Sequence, residues 1–253
     1  MTILVTGASA GFGKAICRLL VREHFQVIGA ARRREKLDAL KAELGDSFYP
    51  LPMDVTDTAA VDLALQSLPE NRREIDVLIN NAGLALGQEP AYQTDFADWR
   101  RMIETNVIGL AYVTHRILPQ MAARRRGYII NLGSVAGDNP YPGSNVYGAT
   151  KAFVKQFSRN LRSDLAGTGI RVSNIAPGLA GDTEFSPVRY KGDMERARRL
   201  YENVAALRPE DIAETVLWLL RLPAHVNINF IEMMPVAQSW SALTVTRTPP
   251  EIK

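Results

Sequence analysis

The chain has 253 residues, of which 46% are hydrophobic and 23% charged, and its formal net charge is +3. That length suits one large α/β core in a single domain spanning residues 1–253. The basic residues are scattered and accompany no recognised nucleic-acid motif, which argues against a nucleic-acid partner. No apolar run of about 18 residues is present to span a membrane. The opening MTILVTGAS enters a core strand at once, without a signal peptide, and the lone Cys17 forms no internal disulfide. The expectation is a soluble cytoplasmic protein.

Apolar strands and amphipathic helices alternate along the chain. Strands are predicted at Ile3 to Thr6, Val27 to Ala31, Phe48 to Met53 and Val77 to Asn80, with helices near Gly13 to Glu23, Glu35 to Leu44 and Ala59 to Ser67 between them. A long helix from about Trp99 to Ala123 follows, then a strand at Tyr128 to Leu132 and a helix at Tyr147 to Leu165. Arg171 to Ile175 and Phe230 to Met233 are strands on either side of a helix at Pro209 to Leu220. This order predicts a Rossmann-type, doubly wound parallel sheet of about seven strands with helices on both faces. Two segments stand apart. Residues 178–205 are long and charged, as expected of a substrate lid with short helices. The tail at 234–253 is apolar, carries Trp240, and has no strand left to pair with, which suggests contact with another subunit.

Tyr147, Lys151 and Ser134 carry the chemistry. Reducing a carbonyl by hydride leaves charge on oxygen, so the site needs a proton donor and hydrogen bonds aimed at that oxygen. A phenol with an ordinary pKa of about 10 becomes a better proton-transfer group when an ammonium lies close. Lys151 follows Tyr147 by four residues, so a helix projects both from one face. Ser134, at a strand end, is placed to bond the substrate oxygen.

The run TGASAGFG, containing Gly7, Ser9, Gly11, Phe12 and Gly13, allows backbone to approach a pyrophosphate at the start of a helix whose dipole favours anions. The second strand ends in Ala30, Ala31, Arg32 and Arg33, where a cofactor with a free ribose 2′-hydroxyl usually meets an acidic residue. Arginine forks suit a phosphate and no carboxylate stands at this strand end to repel it, so Arg32 and Arg33 predict NADP(H) over NAD(H). The bland alternative is a pair of solvated helix-start arginines. His24, His115 and His225 form no ligand spacing, and no metal is expected.

On these motifs the chain resembles the short-chain dehydrogenase/reductase family along essentially its whole length. The NNAG segment of Asn80, Asn81, Ala82 and Gly83 is similar to the one that closes the middle of the family's sheet beside the adenosine. Asn106 matches the family's helix asparagine, whose carbonyl holds a water linking the lysine to solvent. Pro177 and Gly178 match the pair bordering the nicotinamide. Asp54 and Val55 resemble the adenine-contacting pair, although Asp54 serves equally as a cap or turn residue.

Within the family, NVYGATKAFVKQFS and the stretches after PGL and around LPAHVNIN resemble the bacterial NADP-dependent 3-hydroxy acid dehydrogenases. That resemblance implies a short hydroxy acid and its semialdehyde or oxo acid as substrates, and a homotetramer. The closely similar sulfoacetaldehyde reductases are the rival within enzymology, and an NADPH-binding regulator is the rival outside it. An anionic substrate needs a cation. Arg189 is the candidate, with Asn145 and Thr183 as auxiliary donors and Thr183 also counted among the cofactor contacts. Lys191, Arg196, Arg198 and Arg199 compete with Arg189 for the role.

Overall fold

A computed structural model of the chain describes residues 1–240. Seven parallel strands form one sheet in the order β3-β2-β1-β4-β5-β6-β7. They are β1 (Thr2–Thr6), β2 (Gln26–Ala31), β3 (Phe48–Pro52), β4 (Val77–Asn80), β5 (Gly127–Leu132), β6 (Ile170–Pro177) and β7 (Phe230–Met233). Burial on both faces explains why these strands are near-continuous apolar runs. Side chains of alternate residues enter two separate cores. Ile3, Val5, Val27, Ile79 and Ile130 face the core shared with α1 (Gly11–Arg22), α2 (Arg34–Leu44) and, at its far side, α10 (Pro209–Arg221). Leu4, Ile28, Leu78, Ile129 and Val172 face the core shared with α3 (Thr58–Gln66), α6 (Leu110–Arg124) and α7 (Asn145–Asp164). The remaining helices are the short α4 (Glu70–Arg73), α5 (Phe96–Ile103) before α6, and α8 (Phe185–Arg189) and α9 (Met194–Arg199) in the segment after β6.

The expected elements appear with shifted ends, and local hydrogen bonding accounts for several of the shifts. The long helix begins at Phe96 rather than near Trp99 because the Asp95 carboxylate accepts the Ala97 N–H at 2.8 Å. Its middle, Glu104–Gly109, is a π turn that separates α5 from α6. A one-residue expansion of this kind leaves the apolar pattern nearly unchanged, so periodicity does not reveal it. Asp57 caps α3 through the Ala60 N–H.

The strand order reverses direction between β1 and β4, and a cleft opens there at the carboxyl ends of the strands. The described part of the tail does not leave the domain. Pro235 and Gln238 form a turn, and the Gln238 Oε1 accepts the Leu179 N–H at 2.7 Å. Residues 234–240 therefore turn back beside the end of β6; the rest of the expected oligomerisation tail, 241–253, lies outside the described residues.

Gly29, in the middle of β2, shows how tightly one core is closed. A Cβ at this position would lie 2.4 Å from the ring of the fully buried Phe48. Gly29→Ala should therefore destabilise the fold by roughly 1–3 kcal/mol through overpacking. Urea denaturation measures this, and an unchanged unfolding free energy would contradict the packing described.

Candidate active site

The cleft has a volume of about 600 Å³ and runs from the turn after β1 to the end of β6. Its phosphate end is built by glycines that take conformations other residues avoid. Gly7 and Gly11 have φ of +70° and +49°. A Cβ on Gly7 would lie 2.8 Å from the Asn81 side chain, and one on Gly13 would lie 2.3 Å from the Gly7 carbonyl oxygen. Ala10 precedes α1 and provides no side-chain cap, so the first N–H groups of the helix face the cleft without a side-chain partner. The open cradle and the uncapped helix start fit a pyrophosphate.

Thr6 and Asn81 hold that turn against β4. The Thr6 hydroxyl accepts the N–H groups of Asn81 and Ala82, each at 3.0 Å. Asn81 Nδ2 donates to the carbonyl of Thr6 at 2.8 Å and to that of Gly7 at 3.2 Å. Asn80, expected among the cofactor contacts, instead points into the interior. Its amide donates to Thr114 at 2.9 Å and to Asn131 at 2.8 Å, and it does not line the cleft. Gly13 also lies behind the wall. Gly7, Ser9, Gly11, Phe12, Ala82 and Gly83 all line it, as do Pro177 and Gly178 at the opposite end.

At the adenosine end, Arg32, Arg33, Asp54 and Val55 line the cleft. Asp54 Oδ1 accepts the backbone N–H and the hydroxyl of Thr56 at 3.0 and 2.8 Å, so it is also a turn residue. Burial pushes its carboxyl up, but these bonds and the charge of Arg32 outweigh burial and the net shift is downward. Arg33 donates to Ser9 Oγ at 3.1 Å and pairs with Glu184 Oε2 at 2.7 Å. Lys36 pairs with the other oxygen of Glu184 at 2.5 Å. The expectation that no carboxylate meets these arginines fails in three dimensions: Arg32 lies 4.0 Å from Asp54, and the segment after β6 brings Glu184 to Arg33.

Ser134, Tyr147 and Lys151 meet where β5 ends against α7. Ser134 Oγ accepts the Ala136 N–H at 3.1 Å, which leaves the hydroxyl hydrogen free to donate. Tyr147 is buried, with Phe185 5.7 Å away between ring centroids. Lys151 Nζ stands 6.0 Å from the Tyr147 ring centroid and donates to the Leu132 carbonyl at 2.9 Å. Gly83 permits this crowding, since a Cβ there would lie 3.4 Å from Nζ and 3.3 Å from the Asn106 side-chain oxygen. Asn106 sits in the π turn behind the wall. It binds both the N–H and the carbonyl of Leu84, at 2.9 and 2.8 Å, and donates to Thr150 at 3.0 Å. It thereby ties α7 to the segment that follows β4.

The electrostatics depart from expectation. Burial pushes the Tyr147 phenol up to about 12; the Ser134 hydroxyl and the positive Arg189 act against the rise, and Tyr141 adds to it. Burial pushes the Lys151 ammonium down to about 8. Desolvation dominates the phenol in this arrangement, and the Lys151 ammonium is directed at the Leu132 carbonyl.

Arg189 is the most distinctive cation of the cleft. It is buried, and donates to the carbonyls of Gly87 at 3.1 Å and Gly143 at 3.5 Å and to the Tyr141 hydroxyl at 2.9 Å. Its guanidinium carbon lies 5.7 Å from the Tyr147 ring centroid, and it has no carboxylate partner among the described residues. The competing cations are all paired: Lys191 with Asp98, Arg196 with Glu89, Arg198 with Glu202 and Arg199 with Glu195. Thr183 lines the cleft. Asn145, at the start of α7, is not among the residues lining the cleft, and its amide donates to the Glu89 carbonyl at 3.3 Å. Sequence reasoning missed Tyr141, Gln88, Glu184 and Gln238, which also line the cleft. Glu184 and Gln238 fall in stretches that carried only the overall resemblance, and each of the four arrives from a loop or from the tail.

Fold and site together define a nucleotide-dependent dehydrogenase. Residues 1–192 match the sequence model of the short chain dehydrogenase family, and the chain belongs to that family. It is 57% identical to an NADP-dependent 3-hydroxy acid dehydrogenase of Salmonella typhi, over 98% of this chain and 100% of that protein. It is 49% identical to a serine 3-dehydrogenase of Agrobacterium fabrum, over 97% and 98% of the two chains. Its structure is similar to the closed form of a serine dehydrogenase complexed with NADP+, with a TM-score of 0.97 and 55% identity over 98% of this chain and 100% of that one.

The buried ammonium has a measurable consequence. The folded pKa of Lys151, about 8, lies below the ordinary 10.5, so the unfolded chain binds more protons between those values. This contribution to stability therefore rises with pH across that window and is lost as pH falls through about 8. Lys151→Met should be more stable than the parent at pH 7, on the order of 2 kcal/mol, with the gain shrinking towards pH 10. Urea denaturation at the two pH values tests this, and equal stability at pH 7 would refute a burial penalty on the ammonium.

Proposed function

We propose that the protein is an NADP(H)-dependent oxidoreductase that interconverts a short 3-hydroxy acid and its semialdehyde or oxo acid. The observation that carries this reading is the buried Arg189, unpaired with any described carboxylate and facing the same cleft as Tyr147. A guanidinium so placed can hold the carboxylate of a small substrate in fork geometry while the carbonyl lies against the phenol. The similarity to NADP-dependent 3-hydroxy acid and serine dehydrogenases supports the same class.

The glycine turn and the start of α1 would hold the pyrophosphate, and Arg32 and Arg33 the ribose 2′-phosphate. Bound NADPH supplies the hydride. Tyr147 then gives its phenolic proton to the substrate oxygen as charge develops there; its raised pKa keeps that proton in place at neutral pH. Ser134 donates its free hydroxyl hydrogen to the same oxygen and stabilises it. Lys151 holds the ribose hydroxyls, and Asn106 positions α7 and the segment after β4 around it. In oxidation the Tyr147 phenolate accepts the hydroxyl proton, and the positive Arg189 favours that phenolate against the effect of burial.

The same cation accepts a sulfonate, so the class of acid is decided by rate. With NADPH oxidation followed at 340 nm, malonic semialdehyde should show the larger kcat/KM; a large advantage for sulfoacetaldehyde would move the assignment to sulfonate chemistry. Turnover of neither would favour an NADPH-binding regulator. A cytoplasmic homotetramer is part of the proposal, supported by the family resemblance and by the exposed Ile103, Ile108 and Phe153 on the α5–α6 and α7 segments. Light scattering should give four times the chain mass.

Two substitutions test the residues. Tyr147→Phe should abolish turnover and leave NADPH binding largely intact, and substantial remaining activity would remove Tyr147 from the proton-transfer role. Arg189→Ala should raise KM for the acid substrate by about 10- to 100-fold, the worth of a charge-assisted hydrogen-bond pair. A KM changed less than twofold would place the anion elsewhere.

A further inference from the structure

We infer that Glu184 is an internal anion that competes with the ribose phosphate of the coenzyme for Arg33 and Lys36, and thereby sets how strongly the enzyme prefers NADP(H). The inference rests on the reading that Arg33 meets that phosphate.

Its geometric basis is a carboxylate held as a phosphate would be. One oxygen of Glu184 pairs with Arg33 at 2.7 Å and the other with Lys36 at 2.5 Å. Arg33 also reaches Ser9 in the glycine turn at 3.1 Å, so the guanidinium lies between the pyrophosphate cradle and Glu184. The arrangement brings together residues 148 positions apart in the chain, and Arg33 and Glu184 both line the cleft.

The neighbours of Glu184 show what the clasp positions. Thr183 packs over the phosphate turn, where a Cβ on Gly11 would lie 3.3 Å from its side chain. Phe185 packs against Tyr147 at 5.7 Å between ring centroids. Three successive residues thus touch the phosphate cradle, the adenosine-end cations and the proton donor. Arg33 and Lys36 hold the Glu184 carboxyl below its usual range against the opposing effect of burial. The Arg33 and Glu184 side chains are 41% and 44% exposed, so solvent screens the pair and its strength is modest. An incoming dianion can outcompete it.

Two anions that share one pair of cations oppose each other, and the coupling is reciprocal. A phosphate on Arg33 and Lys36 weakens their hold on the segment around Glu184, and removal of the Glu184 charge strengthens phosphate binding by the same factor. NAD(H), which lacks the phosphate, feels the change little. Lys36 thereby becomes a third coenzyme-selecting cation beside Arg32 and Arg33.

The test is coenzyme affinity, read from nicotinamide fluorescence on the full chain without substrate. Glu184→Gln keeps size and hydrogen bonding and removes the charge. It should tighten NADPH by about three- to tenfold and leave NADH within about twofold. Unchanged or weaker NADPH binding overturns the inference, and so does an equal shift for both coenzymes, which would mark a general change in the segment. Arg33→Met separates the two levels of the argument. It should weaken NADPH selectively; if it does while Glu184→Gln gives no gain, competition alone fails. If Arg33→Met leaves the NADPH to NADH ratio unchanged, the phosphate reading fails and the inference with it.

Discussion

Parallel pairing of seven strands is the constraint on which the rest of this structure depends. A parallel sheet requires each connection to cross over one face, so helices cover both faces and every strand ends at the same edge. Where the winding reverses between β1 and β4, the adjacent connections diverge to opposite faces and leave a cleft that no helix fills. The glycine turn, the NNAG segment, Ser134 and Pro177 all follow strand ends, and the sheet gathers them along that cleft. Neither α7 nor the segment after β6 has to create the site; each lines an opening that the strand order has already made.

Burial then gives the gathered groups their character. Tyr147, Lys151 and Arg189 are polar side chains in a nearly dry wall, and each is held by few partners. Desolvation keeps the phenol protonated and makes the ammonium costly to retain, so the site is held at the expense of local stability. Backbone carbonyls provide much of the compensation. Leu132 receives Lys151, and Gly87 and Gly143 receive Arg189, which directs these cations without neutralising them. Arg189 is anchored by neutral acceptors, whereas the exposed cations nearby are already matched to carboxylates.

Much of this was legible along the chain because the relevant signals are local. Strands buried on both faces must be apolar throughout, so their existence along the chain could be read directly, and Tyr147 and Lys151 carry a spacing tied to one helix face. The glycines were legible because close backbone approach and positive φ exclude most side chains. The π turn at Glu104–Gly109 was not, since it changes hydrogen bonding while hardly disturbing the apolar period. Asn80 and Asn145 sit in or beside recognised motifs, yet their side chains turn to Thr114 and Asn131 in one case and to the Glu89 carbonyl in the other. A motif names the residues in a segment, and packing decides which of them face the cleft.

The sequence by itself determined the fold class, through the apolar alternation of strands and helices, and the family, through motifs it resembles; it also marked the glycine turn after β1 and the Tyr147–Lys151 pair, because each lies within one or two neighbouring elements. Only the tertiary structure decided which of five candidate cations stands without a carboxylate partner beside Tyr147, and that the tail turns back to Leu179. It also decided that Glu184, about 150 residues further along the chain, sits against Arg33 and Lys36. These contacts join segments far apart in the chain, and desolvation depends on everything packed around a group, so neither is encoded in any local pattern.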